Sequence, residues 1–201
     1  MHRPSLVLVT PALADANNGN WQTARRWQRL LAPAYRVRVT GHWDGGDEAM
    51  MIALHARRSA ASVAAWRAAH PARPLVLVLT GTDLYRDIAV DAAAQRSLHA
   101  AGALVVLNER GPQPLPPTLR ARCHVVLQSC PARRPLAKPA RHLRALMVGH
   151  LREEKDPLTY LCAAARLAAR TDIRLDHVGA AHPPAPGAAA AALAARQPRY
   201  R

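Results

Sequence analysis

The sequence predicts an α/β protein built on a doubly wound, Rossmann-like parallel sheet, and three observations predict it. Short β-branched or Leu-rich runs alternate with helix-length segments through the first two-thirds of the chain. One run, Leu75–Leu79 (LVLVL), is apolar without a break, as the centre of a parallel sheet covered on both faces requires. Polar turns bearing Gly, Asn or Asp follow the runs, at the strand ends where open parallel sheets bind ligands.

The elements follow in order. Ser5–Thr10 (SLVLVT) reads as a strand and Asp15–Asn20 as a polar loop. From Trp21 to Leu31 the apolar residues Trp21, Ala24, Trp27, Leu30 and Leu31 recur at helical spacing, with Arg25, Arg26 and Arg29 between them. Tyr35–Thr40 alternates as a strand, and Met50–Leu54 is a third apolar run. Ser59–His70 is a helix stopped by Pro71 and Pro74. After Leu75–Leu79 come a helix near Asp91–Ala101 and a strand at Ala103–Leu107. A Pro-rich turn, a short helix and a strand at His124–Gln128 complete the unit, residues 1–128. Repeated strand–helix–strand alternation with right-handed crossovers places helices on both faces of one sheet.

Residues 129–141 (SCPARRPLAKPAR) carry three prolines without periodicity and read as a linker. The pattern then restarts over 142–201: strand Leu143–Val148, loop Gly149–Asp156, helix Pro157–Ala169, strand Ile173–Val178, a Pro/Gly loop to Gly187 and an Ala-rich helix, Ala188–Ala195, with little to bury. Two parallel strands are too few for an independent α/β domain. The expectation is an incomplete second Rossmann-like lobe in a chain that stops short.

Composition narrows the function. The longest apolar runs of the 201 residues are too short to cross a bilayer, and no signal-peptide core opens the chain. Stable membrane insertion is not expected, and a cytoplasmic location is. Three cysteines without C-x-x-C spacing suggest neither a disulfide framework nor a zinc site. The net charge of +15 would suit nucleic acid, an anionic membrane or phosphorylated small molecules. Its cations are almost all arginines spread along the chain, which does not favour nucleic acid; an Arg-rich nucleic-acid module stays as an alternative. G-x-S-x-G, G-x-x-x-x-G-K-[ST], H-E-x-x-H and an opening G-x-G-x-x-G are absent.

Four polar clusters lie at expected strand ends. Asn18, Gly19 and Asn20 precede a helix whose amides could face an anion or sugar; an Asn-capped turn is the plainer role. His55, with Arg57 and Arg58, offers an acid or base and two phosphate donors, although Ser59 could simply cap the next helix. Thr80, Gly81, Thr82 and Asp83 supply a sharp polar turn, with helix capping as Asp83's plainer task. Gly149, His150, Arg152 and Lys155 precede a helix as a diphosphate clamp or a solvated loop. His55 and Asp83 are the expected catalytic pair.

These residues carry a resemblance. Val9-Thr10-Pro11, Asn18-Gly19-Asn20, Thr23-Ala24-Arg25-Arg26-Trp27, Leu54-His55-Ala56-Arg57-Arg58-Ser59 and Leu79-Thr80-Gly81-Thr82-Asp83-Leu84-Tyr85-Arg86-Asp87 stand in the order found in family 4 glycosyltransferases of the GT-B fold. With Gly149-His150-Leu151-Arg152 and Lys155-Asp156-Pro157, the chain resembles the selenosugar synthases of selenoneine biosynthesis from about Ser5 to Arg201. The resemblance implies transfer of a sugar from a UDP-sugar, UDP-N-acetylglucosamine or a similar donor, to selenophosphate, with no metal or other cofactor. A lipid or another small molecule is the alternative acceptor. It further implies that Gly19 contacts donor or acceptor, that the His55–Arg58 and Thr80–Asp83 loops line the acceptor side, and that Lys155 binds the donor phosphate. His150 stands where the wider family has Arg, and the carboxylate pair that holds the donor ribose there has no counterpart before Arg201.

Overall fold

The computed structural model describes residues 3–16, 18–151, 155–180 and 185–201, and divides the chain into two units, Met1–Pro131 and Ala132–Arg201. In the first unit six strands form one sheet with every pair parallel: β1 (Ser5–Val9), β2 (Arg36–Thr40), β3 (Met50–Leu54), β4 (Leu75–Leu79), β5 (Ala103–Val106) and β6 (Cys123–Val125). Their order is β2-β1-β3-β4-β5-β6. It is a Rossmann-like α/β sheet.

Strand periodicity of two sorts the core. Leu6, Leu8, Ile52, Leu54 and Val78 face helix α1 (Gly19–Leu31), which lays Ala24, Trp27 and Leu31 on them. Val7, Val9, Met51, Ala53, Leu75, Leu77 and Leu79 face the other way. Covering that face are α2 (Ala60–Ala69), α4 (Ala92–Ala100) and the short α5 (Pro117–Arg120), through Val63, Trp66, Ala94, Leu98 and Leu119. Between β4 and α4 the chain makes a π-helical segment, Asp83–Asp87, that runs into a single turn, α3 (Ile88–Val90). Segment 41–49 joins β2 to β3 without a helix; its Trp43 packs edge-on against Trp66 at 5.4 Å and donates Nε1–H to Glu48 at 3.1 Å.

The second unit is a βαβ element: β7 (Leu143–Val148), α6 (Pro157–Arg166) and β8 (Ile173–Val178), parallel to β7. Helix α7 (Ala185–Arg196) follows, and Tyr200 forms a parallel bridge with Leu175 beside β8. Asp176 receives Arg144 at 2.7 Å and Arg201 at 2.6 Å, and these hydrogen bonds, Arg201 first, hold its carboxyl below the ordinary value.

Four expectations shift. The sixth strand is Cys123–Val125, not His124–Gln128: its pairing with β5 closes when Val126 N–H donates to Val106 O, and Gln128 Nε2 donates instead to Thr23 on α1 at 3.0 Å. Helix α6 stops at Arg166 rather than Ala169, where Leu167 leaves helical geometry. Helix α7 starts at Ala185 rather than Ala188, which puts Pro186 in its first turn, a position that tolerates a missing N–H. Nor is α7 short of contacts, since Ala190 and Leu193 join the core of Leu161, Ala164, Leu175 and Tyr200.

Trp66 is fully buried and its indole N–H has no hydrogen-bond partner among the described residues. Trp66→Ala is expected to cost about 3–5 kcal/mol in urea unfolding. Trp66→Phe removes the unpartnered donor and is expected to cost less than half of that.

Candidate functional site

The sheet order sets the place. From β1 the chain steps outward to β2, then returns past β1 to β3, so the topological switch point lies between β1 and β3. Ligands of open α/β sheets bind outside the carboxyl ends of the strands at such a point. The turns that follow β1, β3 and β4 occupy this edge.

After β1, Asn18 is the N-cap of α1. Its side-chain oxygen accepts from Asn20 N–H at 3.1 Å and Trp21 N–H at 3.2 Å, which satisfies two helix-start donors. Gly19 is exposed, with open space where a Cβ would stand. Asn18 is thus committed to its cap, and Gly19 is the accessible member of this set.

After β3, His55 adopts a left-handed backbone (φ 73°). Its N–H continues the ladder to Val78 O at 2.9 Å, so the turn begins while the chain is still paired to β4. The imidazole is buried, 4% exposed. Nδ1 accepts from Arg58 N–H at 3.4 Å, which leaves the proton of the neutral ring on Nε2, 4.0 Å from Asp87 Oδ2. Ser59 sends its hydroxyl back to Leu54 O at 2.6 Å and does not cap α2 with its side chain. Arg57 and Arg58 are exposed.

After β4, Gly81 takes φ +124°, a backbone that side chains rarely adopt. The wide π-helical turn that follows buries Asp83, Leu84 and Asp87 and turns Tyr85 and Arg86 outward. Asp83 is wholly buried. One of its oxygens accepts from Thr80 N–H and the other from Ala56 N–H, each at 2.9 Å. Each oxygen thus accepts a main-chain donor, and the side chain ties the β3 and β4 turns together. Thr80 and Thr82 are half-buried on the same turn.

Asp87 is the residue that sequence reading passed over. Its side chain is 5% exposed and lies 3.0 Å from Arg57 Nε and 3.2 Å from Arg86 Nε. The four-residue spacing from Asp83 was the available signal. Direct contacts therefore unite His55, Arg57, Arg58, Thr80, Asp83 and Asp87, while Gly19 stands at the end of the neighbouring strand β1.

In the second unit, Gly149 and His150 follow β7, and the Lys155 stem packs over Gly149, whose Cβ would meet it at 3.3 Å. His150 Nδ1 accepts from Ala180 N–H at 3.0 Å. Arg152 lies outside the described residues. Gly179, after β8, closely approaches the other strand end: a Cβ there would fall 1.9 Å from Gly149 O. Among the described residues no helix is long and apolar enough to cross a membrane.

No protein-family profile matches the chain, and a search of curated proteins finds no match.

Burial holds the His55 imidazole below its ordinary value near 6.5, Arg58 and Arg57 add to this, and the Asp83 and Asp87 carboxylates oppose it. The folded state keeps the ring neutral where the unfolded chain takes up a proton, so stability is full above about pH 6.5 and falls as pH drops below it. His55→Asn keeps a polar side chain that tolerates the left-handed turn. It is expected to flatten the loss of urea midpoint between about pH 8 and about pH 5 relative to the parent. Gly179→Ala is expected to destabilise the second unit by about 1–3 kcal/mol, read as faster amide exchange in β7 and β8 with β1 and β3 unchanged.

Proposed function

We propose that the chain is a glycosyltransferase that passes a sugar from a UDP-sugar, UDP-N-acetylglucosamine above all, to selenophosphate. The first unit takes the acceptor. Gly149, His150 and Lys155 of the second unit, with Arg152, take the donor diphosphate. The observation that carries this reading is the pair of exposed arginines, Arg57 and Arg58, on a turn at the switch-point edge, fixed there by Asp83. An anion-accepting end on a parallel sheet suits a phosphorylated nucleophile.

The chemistry suits a cluster whose imidazole and two carboxylates are buried. The selenium of selenophosphate is ionised at neutral pH, so its lone pair attacks C1 of the sugar without prior loss of a proton. The C1–O bond breaks and its electrons leave on the β-phosphate of UDP. Water then cleaves the P–Se bond, releasing phosphate and a 1-seleno-sugar. For the first step the protein must position two anions and stabilise the charge on the departing diphosphate. Buried, neutral His55 and wholly buried Asp83, which ties the two turns, fit the positioning part.

Incubating the chain with UDP-N-acetylglucosamine and selenophosphate is expected to yield UDP and a seleno-sugar, detected by mass spectrometry. Failure to form product together with failure to bind UDP in calorimetry overturns the reading; UDP-independent, salt-sensitive binding of DNA would replace it with a nucleic-acid function.

A further inference from the structure

We propose that Asp87 is a positioning residue that orients Arg57 to receive a dianionic tetrahedral oxyanion at the end of β3. The inference rests on the reading above only in taking that oxyanion to be the phosphate part of the acceptor. Arg57 meets Asp87 through Nε, at 3.0 Å from Oδ2, and has no other side-chain partner among the described residues. Oδ2 is buried and accepts no aligned hydrogen bond among the described residues, so charge holds the guanidinium there. The contact is made through Nε, and the Nη groups have no side-chain partner among the described residues; such guanidinium forks match phosphate oxygens two at a time. Arg58, next in the chain, likewise has no acceptor for its guanidinium among the described residues; only its backbone N–H is used, on His55 Nδ1.

Two further observations place the anion. The Ser59 hydroxyl is spent on Leu54 O, so it leaves the first-turn amides of α2, a helix of 10 residues, without a side-chain cap just beyond the two arginines. Charge is also layered: Asp83 and Asp87 are buried, whereas Arg57, Arg58 and Arg86 are exposed above them. The outer layer therefore presents positive charge to solvent, and the inner layer fixes its geometry.

The sign of one substitution separates positioning from mere proximity. Removing a negative charge near an anion site strengthens anion binding if the carboxylate only sits close by. If the carboxylate aims Arg57, its removal weakens binding instead.

The test is titration of the full chain with inorganic thiophosphate at low ionic strength, followed by 31P NMR, with thermal melts as the check on folding. Arg57→Gln is expected to weaken binding about tenfold, the worth of one charge-assisted hydrogen bond. Asp87→Asn is expected to weaken it about threefold or more and Asp87→Glu to restore part of the loss. Arg96→Gln, an exposed arginine on α4, is expected to change nothing. Unchanged or tighter binding by folded Asp87→Asn overturns the proposal, as does an unchanged Arg57→Gln. If Asp87→Asn does not fold, the outcome for Arg57→Gln decides. Thiophosphate binding that depends on Arg57 without any sugar transfer would sink the glycosyltransferase reading and leave this site standing. Sugar transfer whose acceptor KM ignores Arg57→Gln would do the opposite.

Discussion

Ala56 and Thr80 stand where β3 and β4 have just ended, each with a main-chain N–H turned inward and no further strand to pair with. One carboxylate, Asp83, accepts both at 2.9 Å. A buried donor left without a partner costs about 1–3 kcal/mol, so losing this side chain would orphan two at once. The same pair of bonds clamps the ends of adjacent strands across 27 residues of sequence. The rest of the site follows from that clamp. His55 is forced through its left-handed turn between β3 and Ala56, and the turn delivers Arg57 and Arg58 outward. The π-helical turn gives Asp83 and Asp87 adjacent buried positions, which a strand or a tight loop would not. Wide helical turns of this kind recur at functional sites, where backbone regularity yields to the placement of side chains.

Arginines in this protein do different work at different places. Arg3 donates to Ala32 O at the end of α1. Arg67 holds Ala100 O and Arg122 holds Ala101 O and Leu98 O, all at the end of α4. Helix ends leave carbonyls without intrahelical donors, and cations there also meet the negative end of the helix dipole. Part of the positive charge is therefore committed to closing the fold at scattered helix ends. Arg57 and Arg58 are placed differently: neither caps a helix, and the turn that carries them lies at the switch point.

What the sequence revealed follows the range of the interactions involved. Residues Leu75–Leu79, Leu143–Val148 and Ile173–Val178 are strands over the spans their own apolar patterns mark, because burial on a pleated surface is encoded locally. His55, Arg57 and Arg58 were recognisable at a strand end for the same reason. The role of Asp83 was not, since the donor it satisfies at Ala56 is distant in sequence and becomes a neighbour only when β3 and β4 pair. The π-helical turn was hidden as well: its residues suit an ordinary helix, and the widening comes from tying Asp83 to the sheet edge. At β6, Val125–Leu127 look like a continuing strand, yet pairing with β5 ends at Val106 and Gln128 finds α1 instead. Tertiary partners override a local pattern at each of these points.

Burial also decides which chemistry the first unit can support. A general base must reach the proton it removes and hold a vacancy for it. Asp83 is wholly buried with both oxygens accepting main-chain donors, and His55 spends its one neutral acceptor on Arg58 N–H. A nucleophile that arrives ionised has a different requirement, namely cations to offset its charge and a rigid frame to aim it. The two buried carboxylates divide that kind of work: Asp83 fixes the turn that carries the exposed arginines, and Asp87 meets Arg57 and Arg86 at its Nε groups.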